Sequence, residues 1–163
     1  MAVQKIVPNL WFDTQAEEAA QYYIDVFGNG RVLSVARYPE GSPGPVGQVM
    51  SVEFEVAGMR FVGINGGPHF TFTEAVSLQV DCADQAEVDR FWDRLVGDGG
   101  EEGQCGWLKD RYGLSWQIVP AGMDRLFSDP DPARAQRAMQ AMLGMRKLDV
   151  AALNAAADGV PVG

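Results

Sequence analysis

The feature that most constrains this chain is an internal repeat. Residues 9–30, NLWFDTQAEEAAQYYIDVFGNG, spell out an apolar strand, a helix start, an amphipathic helix and a glycine stop. Residues 77–100, SLQVDCADQAEVDRFWDRLVGDGG, spell out the same order again. Leu10 and Leu78 are 68 positions apart, as are Asp13 and Asp81. Gln15-Ala16-Glu17 and Gln85-Ala86-Glu87 are 70 apart, as are Tyr22 and Trp92, so a two-residue insertion precedes the second helix. A strand and one helix cannot bury their apolar faces alone. Each copy therefore has to be completed by further strands, and the repeat dictates two similar modules.

The completing strands are legible. In the first copy Thr14 and Glu17 form a capping-box pattern, and Ala16, Ala19, Ala20, Tyr23, Val26 and Phe27 recur at helical spacing up to Gly28-Asn29-Gly30. Arg31–Tyr38 reads as a strand, residues 40–45 as a loop, and 48–56 as a strand with Met50, Val52, Phe54 and Val56 on one face. Ala57-Gly58 turns it into a last strand, 59–65. In the second copy a strand ends at Asp81, Asp84 and Glu87 cap a helix, and Val88, Phe91, Trp92 and Leu95 follow at helical spacing. A short strand around 101–103, then 104–110 and 114–120, complete it, with Lys109-Asp110-Arg111 as a charged turn.

The expected fold is thus α+β: two tandem βαβββ modules of about eight strands, plus C-terminal helices. All 163 residues form one domain, with module one at 1–65, module two at 75–120 and a helical tail at 124–157. The tail has helices expected over 133–145 and 148–157. It either packs on its own subunit or reaches a partner.

Charge narrows the partners. The net charge of -9 argues against nucleic acid and anionic membrane surfaces, both of which select clustered Lys and Arg. No apolar run nears the ~20 residues of a membrane span, and the N-terminus does not read as a signal peptide, so a cytoplasmic location is expected. Cys82 and Cys105 are too few for a disulfide framework and read as reduced thiols packed like small hydrophobes. With His69 the sole histidine and no CxxC pair, no zinc site is expected.

Several segments together resemble the PhnB-like branch of the vicinal oxygen chelate (glyoxalase/bleomycin-resistance) superfamily. Many members of that branch carry the name 3-demethylubiquinone-9 3-methyltransferase. The segments are Pro8-Asn9-Leu10-Trp11-Phe12-Asp13 with Ala16-Glu17-Glu18-Ala19, then Asn65-Gly66-Gly67-Pro68, Cys105-Gly106-Trp107-Leu108-Lys109-Asp110, and Gly113-Leu114-Ser115-Trp116-Gln117-Ile118-Val119-Pro120. The resemblance implies that each module curls into a half-barrel and that the two enclose a cleft. In catalytic members of the superfamily, His, Glu or Gln on the first and last strands hold a divalent metal there. Those positions fall here on Val7 or Asn9, Gly63 or Asn65, Ala75 or Ser77, and Gln117. None is His, Asp or Glu, so no catalytic metal and no cofactor are expected.

By alternation the ligand-binding residues are Asn9, Trp11, Phe61, Asn65, Ser77, Gln79, Trp107 and Gln117, an aromatic and amide-rich set suited to a small oxygenated molecule. The catalytic candidates are Glu53, a general base if desolvated, and Cys105, a nucleophile if a positive neighbour activates it. Trp116, of opposite parity to Gln117, belongs under a helix, and His69 in a solvated loop. Three functions remain open: an enzyme acting without, or only weakly dependent on, a metal; a non-catalytic binder that sequesters its ligand; and the methyltransferase of the name, which no strand–GxGxxG–helix arrangement supports. A homodimer is expected, because superfamily modules often pair between chains.

Overall fold

The computed structural model describes residues 4–160 and divides into two compact units, 1–72 and 73–163. The first unit contains β1 (Asn9–Phe12), α1 (Ala16–Phe27), β2 (Gly30–Arg37), β3 (Val49–Val56) and β4 (Met59–Asn65). Its sheet runs β1-β4-β3-β2, with β1 parallel to β4 and the other pairs antiparallel. The second unit repeats this with β5 (Ser77–Cys82), α2 (Gln85–Gly97), β6 (Glu101–Glu102), β7 (Trp107–Lys109) and β8 (Ser115–Pro120), in the order β5-β8-β7-β6. The doubled βαβββ reading is therefore what the chain adopts. Among the described residues no helix is long and apolar enough to cross a membrane.

The helices repeat one position out of step with the sequence match. Ala19, Tyr22, Tyr23 and Val26 are buried in α1; Val88, Phe91, Trp92 and Leu95 are buried in α2. These pairs lie 69 apart, as do the N-caps Gln15 and Asp84, and not 70. The two Gln-Ala-Glu strings sit at different places in their helices.

The helix starts also differ. Asp84 Oδ1 accepts from the Glu87 backbone N–H at 2.9 Å, and Glu87 Oε2 accepts from Ala83 N–H at 2.8 Å. The capping box expected for α1 is absent: its N-cap is Gln15, and no local side chain caps it. Asn65, at the end of β4, does this work instead. Its Oδ1 accepts from Ala16 N–H at 2.8 Å, and its Nδ2 donates to Val49 O at 3.1 Å.

Other boundaries shift for identifiable reasons. The first strand, which reads as 3–12 in the sequence, begins as β1 only at Asn9, because Pro8 has no N–H to donate, and position 3 lies outside the described residues; the Gln4 side-chain amide brackets Arg60, donating to its O at 3.1 Å and accepting from its N–H at 2.8 Å. β7 is shorter than expected because residues 104–107 form a tight turn. Cys105 and Gly106 both have positive φ (56° and 83°), and Trp107 N–H donates to Gln104 O at 3.0 Å. Asp110 is not a solvated turn residue. It is 3% exposed, and its carboxylate accepts from Tyr112 N–H, Leu114 N–H and the Trp116 indole. Trp116 is buried, as its parity requires.

The tail forms α3 (Met123–Phe127), α4 (Pro132–Leu143) and α5 (Val150–Ala157); α3 was not foreseen. The tail packs on its own module two. Cys105 and Gly106 N–H donate to Met145 O and Arg146 O, both at 2.8 Å. The Gln85 amide donates to Leu148 O and accepts from Val150 N–H. Met123, Leu148 and Leu153 form a satellite core with Val119 of β8 beside it.

Candidate functional site

The strand registers decide which side chains share a surface. In module one Asn9 lies beside Val62, Trp11 beside Ile64, and Glu53 beside Val62. These face away from α1. Phe61 and Asn65 face the other way, so the parity assigned to the fourth strand has to be reversed. Phe61 stacks on Phe54, which stacks on Tyr23 of α1, and Asn65 is the cap described above. Gly63 likewise points at α1; a Cβ there would meet the Ala16 Cβ at 3.1 Å. Asn9 and Trp11 are thus joined by Arg60, Val62 and Ile64.

Polar groups on this face are already engaged. Glu53 pairs with Arg60 at 2.7 Å and accepts from Ser34 Oγ at 3.3 Å, with its side chain 32% exposed. The desolvation that would make it a base is not met. The Trp11 indole donates to Gly67 O, and its ring meets Phe70 edge-on, so the 66–72 linker folds back on β1. A cleft of about 710 Å³ lies beyond the ends of β1 and β4, under the 38–48 loop. Arg37, Tyr38, His69, Asp13 and Glu17 are among its lining residues. Sequence reading missed it because no periodic pattern reports a loop's curvature. Tyr38 O–H donates to Asn65 O at 2.6 Å.

In module two the registers gather all four expected residues on one face. Ser77 lies beside Ser115, Gln79 beside Gln117, and Gln117 beside Trp107. Gln117 Nε2 donates to Ser77 Oγ at 2.9 Å, and Gln79 Nε2 to Asp81 Oδ1 at 2.7 Å. Lys109 lies opposite Ser115 and pairs with Glu74 at 2.5 Å, which raises the lysine pKa and lowers that of the carboxyl. A cavity of about 400 Å³ opens at Trp107, Lys109 and Ser115. Ser115 is buried, and its hydroxyl has no hydrogen-bond partner among the described residues.

Neither cysteine lines this cavity. Burial first, then the nearby Glu87 and Asp81 carboxylates, push the Cys82 thiol up to about 12, leaving it neutral. Cys105 is half-buried in the left-handed turn, and its backbone is tied to the tail. Among the described residues no three His, Cys, Asp or Glu side chains converge as a metal site would require.

Comparison with known proteins follows the same outline. The family model for 3-demethylubiquinone-9 3-methyltransferase matches residues 4–119, so the tail lies beyond it. A PhnB protein from Bacillus cereus that carries the same methyltransferase name is 35% identical, with TM-score 0.65, over 72% of this chain and 100% of that one. Protein PA1353 from Pseudomonas aeruginosa is 21% identical, with TM-score 0.59, over 72% of this chain and 98% of its own. The fosfomycin resistance protein FosX from Listeria monocytogenes, in complex with Mn(II) and sulfate, is 14% identical, with TM-score 0.51, over 77% of this chain and 97% of its own. No curated protein matches the chain.

Proposed function

The chain belongs to the 3-demethylubiquinone-9 3-methyltransferase family, the PhnB-like branch of the vicinal oxygen chelate superfamily, and on that premise we propose that it holds a small oxygenated molecule on the polar face of module two without a catalytic metal. The observation that carries this reading is the convergence of Ser77, Gln79, Trp107 and Gln117 on one side of the β5-β8-β7 sheet. An indole offers a stacking plane, and amides and hydroxyls offer both donors and acceptors, which together suit a flat hydroxylated ligand.

The metal-free part rests on donor chemistry. The first and last strands present Asn9, Trp11, Val62 and Ile64 in module one, and Ser77, Gln79, Ser115 and Gln117 in module two, on the faces away from the helices. Neutral amides and hydroxyls hold hard divalent ions weakly without a carboxylate or imidazole beside them. These residues do not fit the metal of the superfamily's catalytic members. The methyltransferase of the family name is not part of the reading. Both strand-to-helix turns, residues 13–15 and 83–84, lack the glycines that let a nucleotide-like cofactor approach the backbone.

Catechol, whose two oxygens are vicinal, is a suitable probe. Calorimetry on the full chain is expected to give the same affinity before and after EDTA dialysis. Trp107→Leu and Gln117→Leu should each weaken it by about 5–10-fold, the size of one stacking or hydrogen-bond contact. Binding that either substitution leaves untouched sinks the assignment. Turnover by substoichiometric protein would make the chain an enzyme and not a sequestering binder. We further propose a homodimer; its support is the edge strand β2, which exposes Val32, Leu33 and Val35. Light scattering at the monomer mass of 17.7 kDa would contradict it.

A further inference from the structure

The cavity on module two carries more information than its polarity, and reading it rests on that face being a ligand surface. Ser115 is 1% exposed, lines the cavity, and has a hydroxyl with no hydrogen-bond partner among the described residues. A buried hydroxyl left unmet in this way is costly, and a ligand atom that meets it gains accordingly. Trp107 lines the same cavity.

The charges are unevenly spent. Glu74 is engaged by Lys109, and Glu102 by Arg146 at 2.9 Å and by the Trp92 indole. Glu101 is exposed and feels the charge of Lys109 opposite it, a lysine whose ammonium is already bound by Glu74. The cavity lining therefore sets three carboxylates, Glu74, Glu101 and Glu102, against Lys109 and the Arg146 that binds Glu102, and leaves a hydroxyl unmet at its other end. Glu101 lies opposite Lys109, and Lys109 opposite Ser115, so the two ends sit in one cross-strand row two strands apart. At ~4.8 Å per strand that row spans roughly 10 Å between backbones, which the Glu101 side chain lengthens to the reach of a para-hydroxylated phenethylamine.

We propose that this cavity takes a small aromatic amine, its ring on Trp107, its ring oxygen bonded to Ser115 Oγ and its ammonium group against Glu101. The occupied Lys109 makes a carboxylate ligand the poorer fit, since it has to displace Glu74 first.

The test uses three probes that share one ring and differ in charge: tyramine, 4-ethylphenol and 4-hydroxyphenylacetate, titrated by calorimetry into the full chain at low salt. Tyramine should bind about 10-fold tighter than 4-ethylphenol, and the acid weakest of the three, as a charge-assisted contact predicts. Glu101→Gln, an exposed and harmless change, should abolish the advantage of tyramine and leave 4-ethylphenol binding unchanged. Ser115→Ala should weaken tyramine about 10-fold yet leave phenethylamine, which lacks the ring oxygen, unaffected. If the acid binds as tightly as the amine, or Glu101→Gln changes nothing, the amine assignment is overturned. In that case the polar-face reading still stands if Trp107→Leu weakens the phenol. If none of the three binds at millimolar concentration, the amine assignment falls, and the catechol titration decides the polar-face reading separately.

Discussion

The two modules share a backbone plan and differ in how they spend the same row of positions. Across module one the row reads Asn9, Val62, Glu53, Ser34; across module two it reads Ser77, Ser115, Lys109, Glu101. In the first, Glu53 has both Arg60 and Ser34, and the neighbour on β4 is apolar Val62. In the second, a serine replaces the valine and finds no partner, and the outermost carboxylate shares Lys109 with Glu74. The polar groups named in the first copy are met, and the second leaves one buried hydroxyl unmet. Duplication with one copy settled and the other unsettled is how a scaffold can acquire a site without changing its fold.

A second contrast concerns support. Module two is buttressed by the tail through Leu148, which is 2% exposed and packs against Gly106, where a Cβ would come within 2.9 Å of its Cδ1. The first unit has no such addition. Leu148→Ala should therefore cost about 3 kcal/mol in urea unfolding, and hydrogen exchange should rise in module two while the amides of β3 and β4 keep their protection. Protection lost equally in both units would break the contrast.

The helix caps give a smaller and more discriminating comparison. Asn65→Ala removes one buried and one half-buried hydrogen bond that tie α1, β3 and β4 together and should cost about 2 kcal/mol. Asp84→Ala removes one exposed local cap and should cost about 1 kcal/mol. Thermal denaturation of the two variants side by side checks the order; equal losses would mean that the long-range cap is no more than a cap.

The smallest effect is electrostatic. Asp89 and Glu102 are held below their ordinary carboxylate values, chiefly by Lys147 and Arg146 of the tail. A lowered folded-state pKa means that the stabilisation is full above the unfolded values of 3.8 and 4.5 and is lost as pH falls through the folded ones. These pairs are exposed, so their worth is slight and screened by salt. Residues 145–148 should loosen below about pH 4 before the sheets do, visible as earlier amide exchange at Cys105 and Gly106, whose N–H groups the tail accepts.

Much of this was legible in the sequence, for a definite reason. Periodicity and caps are local, so the doubled βαβββ order, the buried stripe of α2, its capping box and the shared face of Ser77, Gln79, Trp107 and Gln117 could all be read along the chain. Registers between strands far apart in sequence could not. Phe61 and Asn65 turn to the helix side, and the alternation within β4 fits either face until β1 is laid beside it. Asp110 looked like a surface charge because nothing nearby in sequence says that Trp116 will donate to it. The cap of α1 reads locally as Thr14, because its true partner lies 49 residues away.

That distance has a consequence for how the chain matures. During synthesis α2 emerges with its own start signal in hand, whereas α1 is made long before Asn65 leaves the ribosome. The first helix can gain its cap only once β4 has been made, whereas the second carries its start signal beside it in the chain.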